Sequence, residues 1–172
     1  MNKSPMVVFC LLIILLSVKH SYAQLSITAH ASAEVIQALA ATEGSPLNFG
    51  RFSPESSGGE IRLSPDGIRS TTGSVSLSGG LYNPASFSLS GQPDFSIVVN
   101  LPSAPILLTN AANGKTMSVI NWESIPAVNS SIKISSSGAL TLNVGATLRV
   151  GNMVDNPVGM YSGTYIITFS YN

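Results

Sequence analysis

The feature that most constrains the fold is a two-residue alternation in the last fourteen residues, Gly159 to Asn172. From position 165 onward, apolar or aromatic side chains alternate with polar ones, and only Ile166 breaks the pattern. The apolar face holds Tyr165, Ile167, Phe169 and Tyr171, and the polar face holds Thr164, Thr168 and Ser170. This period predicts a β-strand with one buried face. We expect the segment to be structural, since chain ends fray unless packing holds them.

The first twenty-three residues are predicted to be a secretory signal peptide. Lys3 gives a positive start, Val7 to Leu16 form an apolar run, and Ser21-Tyr22-Ala23 offers small residues for cleavage. The run is shorter than the ~20 residues of a membrane-spanning helix. We therefore expect one exported domain, residues 24–172, in the periplasm, at the outer cell surface or outside the cell.

Composition narrows the class of protein. Removing Lys3 and Lys19 with the signal leaves six basic residues against eight acidic ones, a formal charge of −2. This balance favours neither nucleic acid nor an anionic membrane as a partner, and no stable membrane span is expected after cleavage. Cys10 is the only cysteine, so the mature domain would contain no disulfide. The low charged fraction, 9% of the chain, suits an all-β protein that associates with others.

The pattern of short strands predicts a single all-β, immunoglobulin-like or pilin-like β-sandwich. Glycine or proline recurs at turn-sized intervals, and no mature segment shows a sustained helical period. The residues from Ala33 to Glu43 fit a helical turn as well as a bulged strand, and the alternation before them favours a strand. The predicted strands are Leu25–Ala38, Leu47–Phe52, Glu60–Leu63, Ile68–Leu77, Ala85–Ser90, Phe95–Leu101, Thr116–Trp122, Ile132–Ser135, Ala139–Val150 and Met160–Tyr171.

A hairpin is predicted between Glu60 and Arg69. Pro65 fixes φ at its turn, and Asp66-Gly67 favours a tight reversal. The alternation places Ile61, Leu63 and Ile68 in the core, with Arg62 and Arg69 facing water.

Residues for catalysis, cofactor binding or metal binding are not expected. His30 is the only histidine after the signal and lies in an alanine-rich stretch, and the eight carboxylates are scattered among turns. A pair of carboxylates meeting in space would be needed for a secreted hydrolase. Trp122 and Tyr82 are candidates for stacking on a sugar, although a core or edge role for Trp122 is favoured.

Four motifs together resemble a group of exported bacterial proteins, the family called domain of unknown function 4402, which is similar to spore coat protein U and to archaic chaperone–usher pilins. The motifs cover nearly the whole mature chain. They are Leu47-Asn48-Phe49-Gly50-Arg51-Phe52-Ser53-Pro54, Leu63-Ser64-Pro65-Asp66-Gly67, Leu140-Thr141-Leu142-Asn143-Val144-Gly145-Ala146-Thr147-Leu148, and Gly159-Met160-Tyr161-Ser162-Gly163-Thr164-Tyr165.

The pilin resemblance implies assembly by strand donation. Pilin subunits have a glycine fourteen residues from the end and a penultimate aromatic residue, which correspond here to Gly159 and Tyr171. They leave an open groove that a periplasmic chaperone, and then the N-terminal extension of another subunit, fills. The matching extension here is Gln24 to Val35, with Leu25 and Ile27 as its largest leading side chains. The same segment also fits the first strand of a complete sandwich, and plain core packing explains Gly159 and Tyr171 equally well.

These observations predict a non-enzymatic structural or surface protein of the cell envelope or of a fimbria-like fibre, a homo-oligomer or a partner of other surface subunits. The pilin resemblance implies that it assembles by donor-strand complementation. Its assembly residues would be Gly159, Tyr165, Ile167, Phe169, Tyr171, Leu25 and Ile27. The alternative is a monomeric surface adhesin or carbohydrate-binding module that uses Trp122 and Tyr82.

Overall fold

The computed structural model describes residues 23–128 and 131–172, so nearly all of the predicted signal segment lies outside the described residues. Two units are distinguished, with the second spanning Ile36–Asn172. In the first, residues 23–35 contain no strand, and Leu25, Ile27 and Val35 are 95%, 89% and 97% exposed. The predicted strand Leu25–Ala38 is therefore wrong, because its alanines bury too little surface to hold it on a sheet alone.

The second unit is all-β, as predicted, and its described residues contain no helix. No part of the described chain forms a helix long and apolar enough to cross a membrane. The strands, in chain order, are β1 (Ala40–Ser45), β2 (Phe52–Leu63), β3 (Arg69–Leu77), β4 (Ala85–Ser90), β5 (Ser96–Asn100), β6 (Ile106–Asn110), β7 (Thr116–Ile125), β8 (Ile132–Lys133), β9 (Ala139–Val150), β10 (Tyr161–Ser162) and β11 (Thr168–Tyr171).

The strands form two antiparallel sheets that pack as a β-sandwich. The larger sheet runs β1-β4-β9-β7-β6-β10, with β2 joined to β9 and β3 joined to β2. The smaller sheet runs β11-β5-β8. It packs over the β4 and β9 part of the larger sheet, because Ile97 and Val99 of β5 share a core with Leu89 of β4 and Leu142 of β9.

Strand β9 organises the larger sheet. It pairs with β7 along one side and with β4 and then β2 along the other. Its inner face is buried throughout, through Leu142, Val144, Ala146, Leu148 and Val150. Gly145 lies where β4 gives way to β2, and a side chain there would collide with the backbone of Leu63 and Ser64. Glycine at this position therefore lets the β2–β3 hairpin sit against β9.

Two apolar clusters form the core. The first lies within the curl of the larger sheet, where Ile61 and Leu63 of β2 meet Val119 of β7 and Leu148 of β9. The second lies between the sheets. Six half-buried apolar residues pack against the first cluster, and eleven pack against the second. The inter-sheet cluster thus has the larger half-buried margin of the two.

The predicted hairpin is confirmed, with Leu63 opposite Arg69 and Gly67 at a φ of 85°. Two of its side-chain assignments are wrong. Ile68 is 63% exposed because it belongs to the turn, where the Ser64 N–H bonds the Ile68 carbonyl. Arg69 turns inward and donates hydrogen bonds to the carbonyls of Phe49 and Ser78, at 2.8 and 2.9 Å.

Several strand boundaries differ from the prediction. Residues 47–51 are not a strand, because Asn48 makes one isolated bridge with Asn83 and accepts a hydrogen bond from Gly50, whose φ is 75°. Strand β6 was not predicted, and the predicted strand Met160–Tyr171 is divided into β10 and β11. In addition, β2 begins at Phe52 rather than at Glu60, β7 continues to Ile125, and β8 ends at Lys133.

Candidate functional site

The C-terminal segment passes from one sheet to the other. Tyr161 of β10 pairs with Asn110 at the edge of the larger sheet, whereas β11 pairs with β5 in the smaller sheet. Its alternation is confirmed, since Tyr165, Ile167, Phe169 and Tyr171 are half-buried against the inter-sheet cluster, and the polar residues between them are exposed. This segment therefore closes one side of the sandwich.

Each aromatic residue of this face lies against an aromatic ring from elsewhere in the fold. The ring centroids of Tyr165 and Trp122 are 4.7 Å apart, those of Phe169 and Phe87 are 6.1 Å apart, and those of Tyr171 and Phe95 are 5.9 Å apart. Such tilted and edge-on pairs stabilise beyond simple burial. Phe87 and Phe95 were not among the predicted site residues, although the Ala85, Phe87, Leu89 alternation of β4 was a signal for the first.

Strand β11 presents an unpaired edge. Among the described residues it bonds only to β5, which lies on one side of it. The Asn172 N–H bonds the Ser96 carbonyl, so the backbone groups of Phe169 and Tyr171 point to the other side, because alternate residues of an antiparallel strand bond in opposite directions. A row of free donors and acceptors of this kind is a template for another strand.

Strand β1, at the edge of the larger sheet, flanks the same side of the sandwich. Gln37, just before β1, accepts a hydrogen bond from the Tyr171 hydroxyl at 2.8 Å. Burial, together with the charge of Glu43 on β1, raises the pKa of Tyr165 to about 12. The unpaired edges of β1 and β11 thus border one apolar strip, called here the edge strip and made of Leu39, Phe87, Tyr165, Ile167 and Phe169.

Two polar atoms in this region are buried without a hydrogen-bond partner in the described structure. They are the Tyr165 hydroxyl and the Trp122 indole nitrogen Nε1. Both belong to the same aromatic pair, and a buried polar atom without a partner costs stability.

Gly159 has a local structural role. A side chain at this position would collide with the side-chain amide of Asn110, which is fully buried at the end of β6. Asn110 in turn accepts a hydrogen bond from Ala112 N–H at 3.0 Å. Close approach to Asn110 therefore accounts for glycine here, whether or not the residue also contributes to assembly.

Trp122 and Tyr82 occupy different environments. Trp122 lies within a bulge of β7 and lines a cleft of about 580 Å³, together with Leu101, Pro105 and Arg149. Tyr82 does not line this cleft, and its ring stacks on the Arg69 guanidinium at 4.2 Å. Since neither contact set includes the other residue, the structure does not bring them together as one stacking face.

The charged residues of the second unit are mostly paired or exposed. Glu60 pairs with Arg149 at 2.9 Å, Asp94 pairs with Lys133 at 2.8 Å, and Glu123 pairs with Arg62. Within residues 23–128 and 131–172, no group of three or more potential metal-ligating side chains occurs. Hydrogen bonding to the Ser64 hydroxyl lowers the pKa of Asp66, which is a turn interaction.

A family model matches residues 39–171, which is most of the chain and nearly all of the sandwich. The chain belongs to the family described as Domain of unknown function (DUF4402). The matched region runs from just before β1 to the end of β11, so both edges that border the strip lie within it. No curated protein and no solved structure matched the chain.

Proposed function

We propose that this DUF4402 protein is a non-enzymatic structural subunit of the bacterial cell envelope or of a fimbria-like fibre, exported and assembled by strand addition. The observation that carries the proposal is the unpaired edge of β11 beside a half-buried apolar strip. An added strand gains main-chain hydrogen bonds from such an edge and buries alternate side chains against the strip.

The N-terminal segment of a second copy is the proposed donor. Residues 24–35 contain no strand, and their apolar residues alternate with polar ones from Leu25 to Val35. Because Leu25, Ile27 and Val35 are almost fully exposed, their burial in another subunit would release apolar surface from water. Before assembly, a periplasmic chaperone would bind the same unpaired edge of β11.

Light scattering tests the proposal. The mature chain, Gln24 to Asn172, is compared with a truncation lacking residues 24–34 across a range of concentrations. We expect the first to form polymers that grow with concentration, and the second to stay monomeric with an unchanged circular dichroism spectrum. A stable full-length monomer, or polymers that persist after truncation, would contradict strand donation by this segment.

Ligand binding at the Trp122 cleft is a second candidate function, consistent with a surface adhesin or carbohydrate-binding module. The cleft combines apolar walls with polar side chains from Asn100, Asn121 and Arg149. A glycan array probed with the mature chain tests it. Since Trp122 contacts both core clusters, Asn121→Gly is the better variant. Asn121 is exposed, so its amide can be removed without opening the cores, and glycine accepts the positive φ of 49° at this position. Glycan binding that this variant abolishes would support the function, and an array without binding would contradict it.

A further inference from the structure

We propose that the edge strip is shaped for a donor strand with small side chains, and that Ala29, Ala31 and Ala33 of a second copy occupy it. The inference rests on the proposed function and specifies which side chains meet. The alanine content of the N-terminal segment would then be a requirement of the site, because larger side chains would not fit.

The strip offers little depth to an added strand. Phe169 of β11 lies against Phe87, and Tyr165, three residues before β11, lies against Trp122, so large rings already occupy the space between the two sheets along the C-terminal segment. All four rings are half-buried, and they belong to the layer that packs on the inter-sheet cluster. Protein interiors are close-packed, so a strand laid on this layer has little depth for its inward side chains.

The alanine stretch of the donor has the same length as the acceptor stretch. Each covers four residue steps, from Ala29 to Ala33 and from Tyr165 to Phe169, which corresponds to about 13 Å of extended chain. Alternate residues of a strand face one side, so the three alanines would meet the strip together. Their central member, Ala31, then lies opposite Ile167, the central member of the acceptor face.

Main-chain hydrogen bonds would hold such a donor, because an alanine side chain buries little apolar area. The donor would bond the backbone of the C-terminal segment from Tyr165 to Phe169, which reaches the free edge of β11 at Phe169. Leu25 and Ile27 on one side and Val35 on the other lie beyond the alanines. These larger, exposed residues would bury their side chains beyond the stretch from Tyr165 to Phe169.

Enlarging the central alanine distinguishes a size-limited site from a generic apolar one. We expect Ala31→Leu in the mature chain to reduce polymer mass at least about fivefold at equal concentration, because overpacking is unfavourable. The matched control is Ser32→Leu, which adds a similar apolar side chain on the opposite face and should change polymer mass by less than about twofold. More polymer with Ala31→Leu than with the unaltered chain would overturn the inference.

A compensating change on the acceptor adds a second test. Ile167→Ala combined with Ala31→Leu should restore polymer mass to within about twofold of the unaltered chain, since the space removed matches the space added. Thermal unfolding checks that the variant is folded, and Ile167→Val replaces it if it is not. A folded double variant with no recovery would contradict the pairing of these two positions. Polymers that persist after truncation of residues 24–34 would instead reject the proposed function itself.

Discussion

The hydroxyl of Tyr171 donates a hydrogen bond to the backbone carbonyl of Gln37 at 2.8 Å and accepts one from the backbone N–H of Gln92 at 2.7 Å. One side chain of β11 thereby connects the approach to β1 with the segment between β4 and β5. The unpaired edges on this side are therefore held in a fixed relation at one end of the strip.

Removing this hydroxyl should destabilise the sandwich. In Tyr171→Phe the Gln92 N–H and the Gln37 carbonyl each lose a partner, and we expect the free energy of unfolding to fall by about 1–3 kcal/mol. Urea unfolding measures the change. The control is Tyr82→Phe, which keeps the exposed ring that stacks on Arg69 and should change stability by less than about 0.5 kcal/mol. Equal effects of the two substitutions would show that the Tyr171 contacts contribute little.

A methyl group at position 159 should also destabilise the protein. In Gly159→Ala the new Cβ would overlap the buried amide of Asn110, and relieving that overlap should lower the unfolding free energy by about 1–3 kcal/mol. Gly79 has open space around it, so Gly79→Ala is a matched control with an expected change within about 0.5 kcal/mol. Unchanged thermal stability of Gly159→Ala would rule out the proposed close contact as the reason for glycine.

The Tyr165 hydroxyl should make stability sensitive to alkaline pH. Burial raises the pKa of Tyr165 to about 12 in the folded state, against an ordinary value of 10.0. The unaltered chain therefore keeps its full stability below about pH 10 and loses stability as the pH rises to about 12, because the folded state opposes ionisation of the buried phenol. Unfolding midpoints of the unaltered chain and of Tyr165→Phe, measured from about pH 8 to pH 12, should therefore diverge in the upper half of the range.

At neutral pH the same substitution should behave differently from Tyr171→Phe. The Tyr165 hydroxyl is buried without a hydrogen-bond partner in the described structure, so its removal should leave stability unchanged or slightly higher. Two outcomes would contradict the assigned environment of this hydroxyl. One is that the unfolding midpoints of the unaltered chain and of Tyr165→Phe change in parallel with pH, and the other is that Tyr165→Phe is much less stable at neutral pH.

Replacing Arg69 by lysine should lower the free energy of unfolding more than replacing Arg62 by lysine. Arg69→Lys loses the planar donor that reaches the Phe49 and Ser78 carbonyls and stacks on Tyr82, with an expected cost of about 1.5–3 kcal/mol. Arg62 pairs with Glu123 at the surface, where an ion pair contributes about 0–1 kcal/mol. Chemical denaturation of Arg62→Lys should accordingly show a much smaller change. A larger effect at Arg62 would contradict this ranking.

The sequence predicts those strands whose inner face is buried and whose turns have distinctive residues. The bounds of β4 and β9 match the prediction, and the hairpin after β2 follows from Pro65 and Asp66-Gly67. In these segments local turn chemistry and a two-residue period agree with the tertiary structure. Strand β6 was missed because its short apolar run follows Pro102 and Pro105, although Asn113-Gly114 after it is a turn signal for the hairpin that pairs it with β7.

The sequence predicted the C-terminal residues of the candidate site but not the aromatic residues that contact them. Alternation identified Tyr165, Ile167, Phe169 and Tyr171, since a period is visible within a single segment. Their partners Phe87 and Phe95 lie 82 and 76 residues upstream of Phe169 and Tyr171, respectively, and meet them only through the order of strands in the two sheets. The alternation of residues 25–35 was seen, but alternation alone does not show whether a strand joins its own sheet.

The position of β9 in the chain has a consequence for how the protein reaches its native state. The strands that β9 joins, β2, β4 and β7, all precede it, and residues 139–150 supply the inner faces of both clusters. Until these residues are available, the earlier strands lack their shared neighbour, and the chain has only isolated hairpins that are marginally stable in water. Formation of the sandwich depends on contacts between distant parts of the sequence. Folding should therefore be slow and concerted, and should not proceed gradually during synthesis.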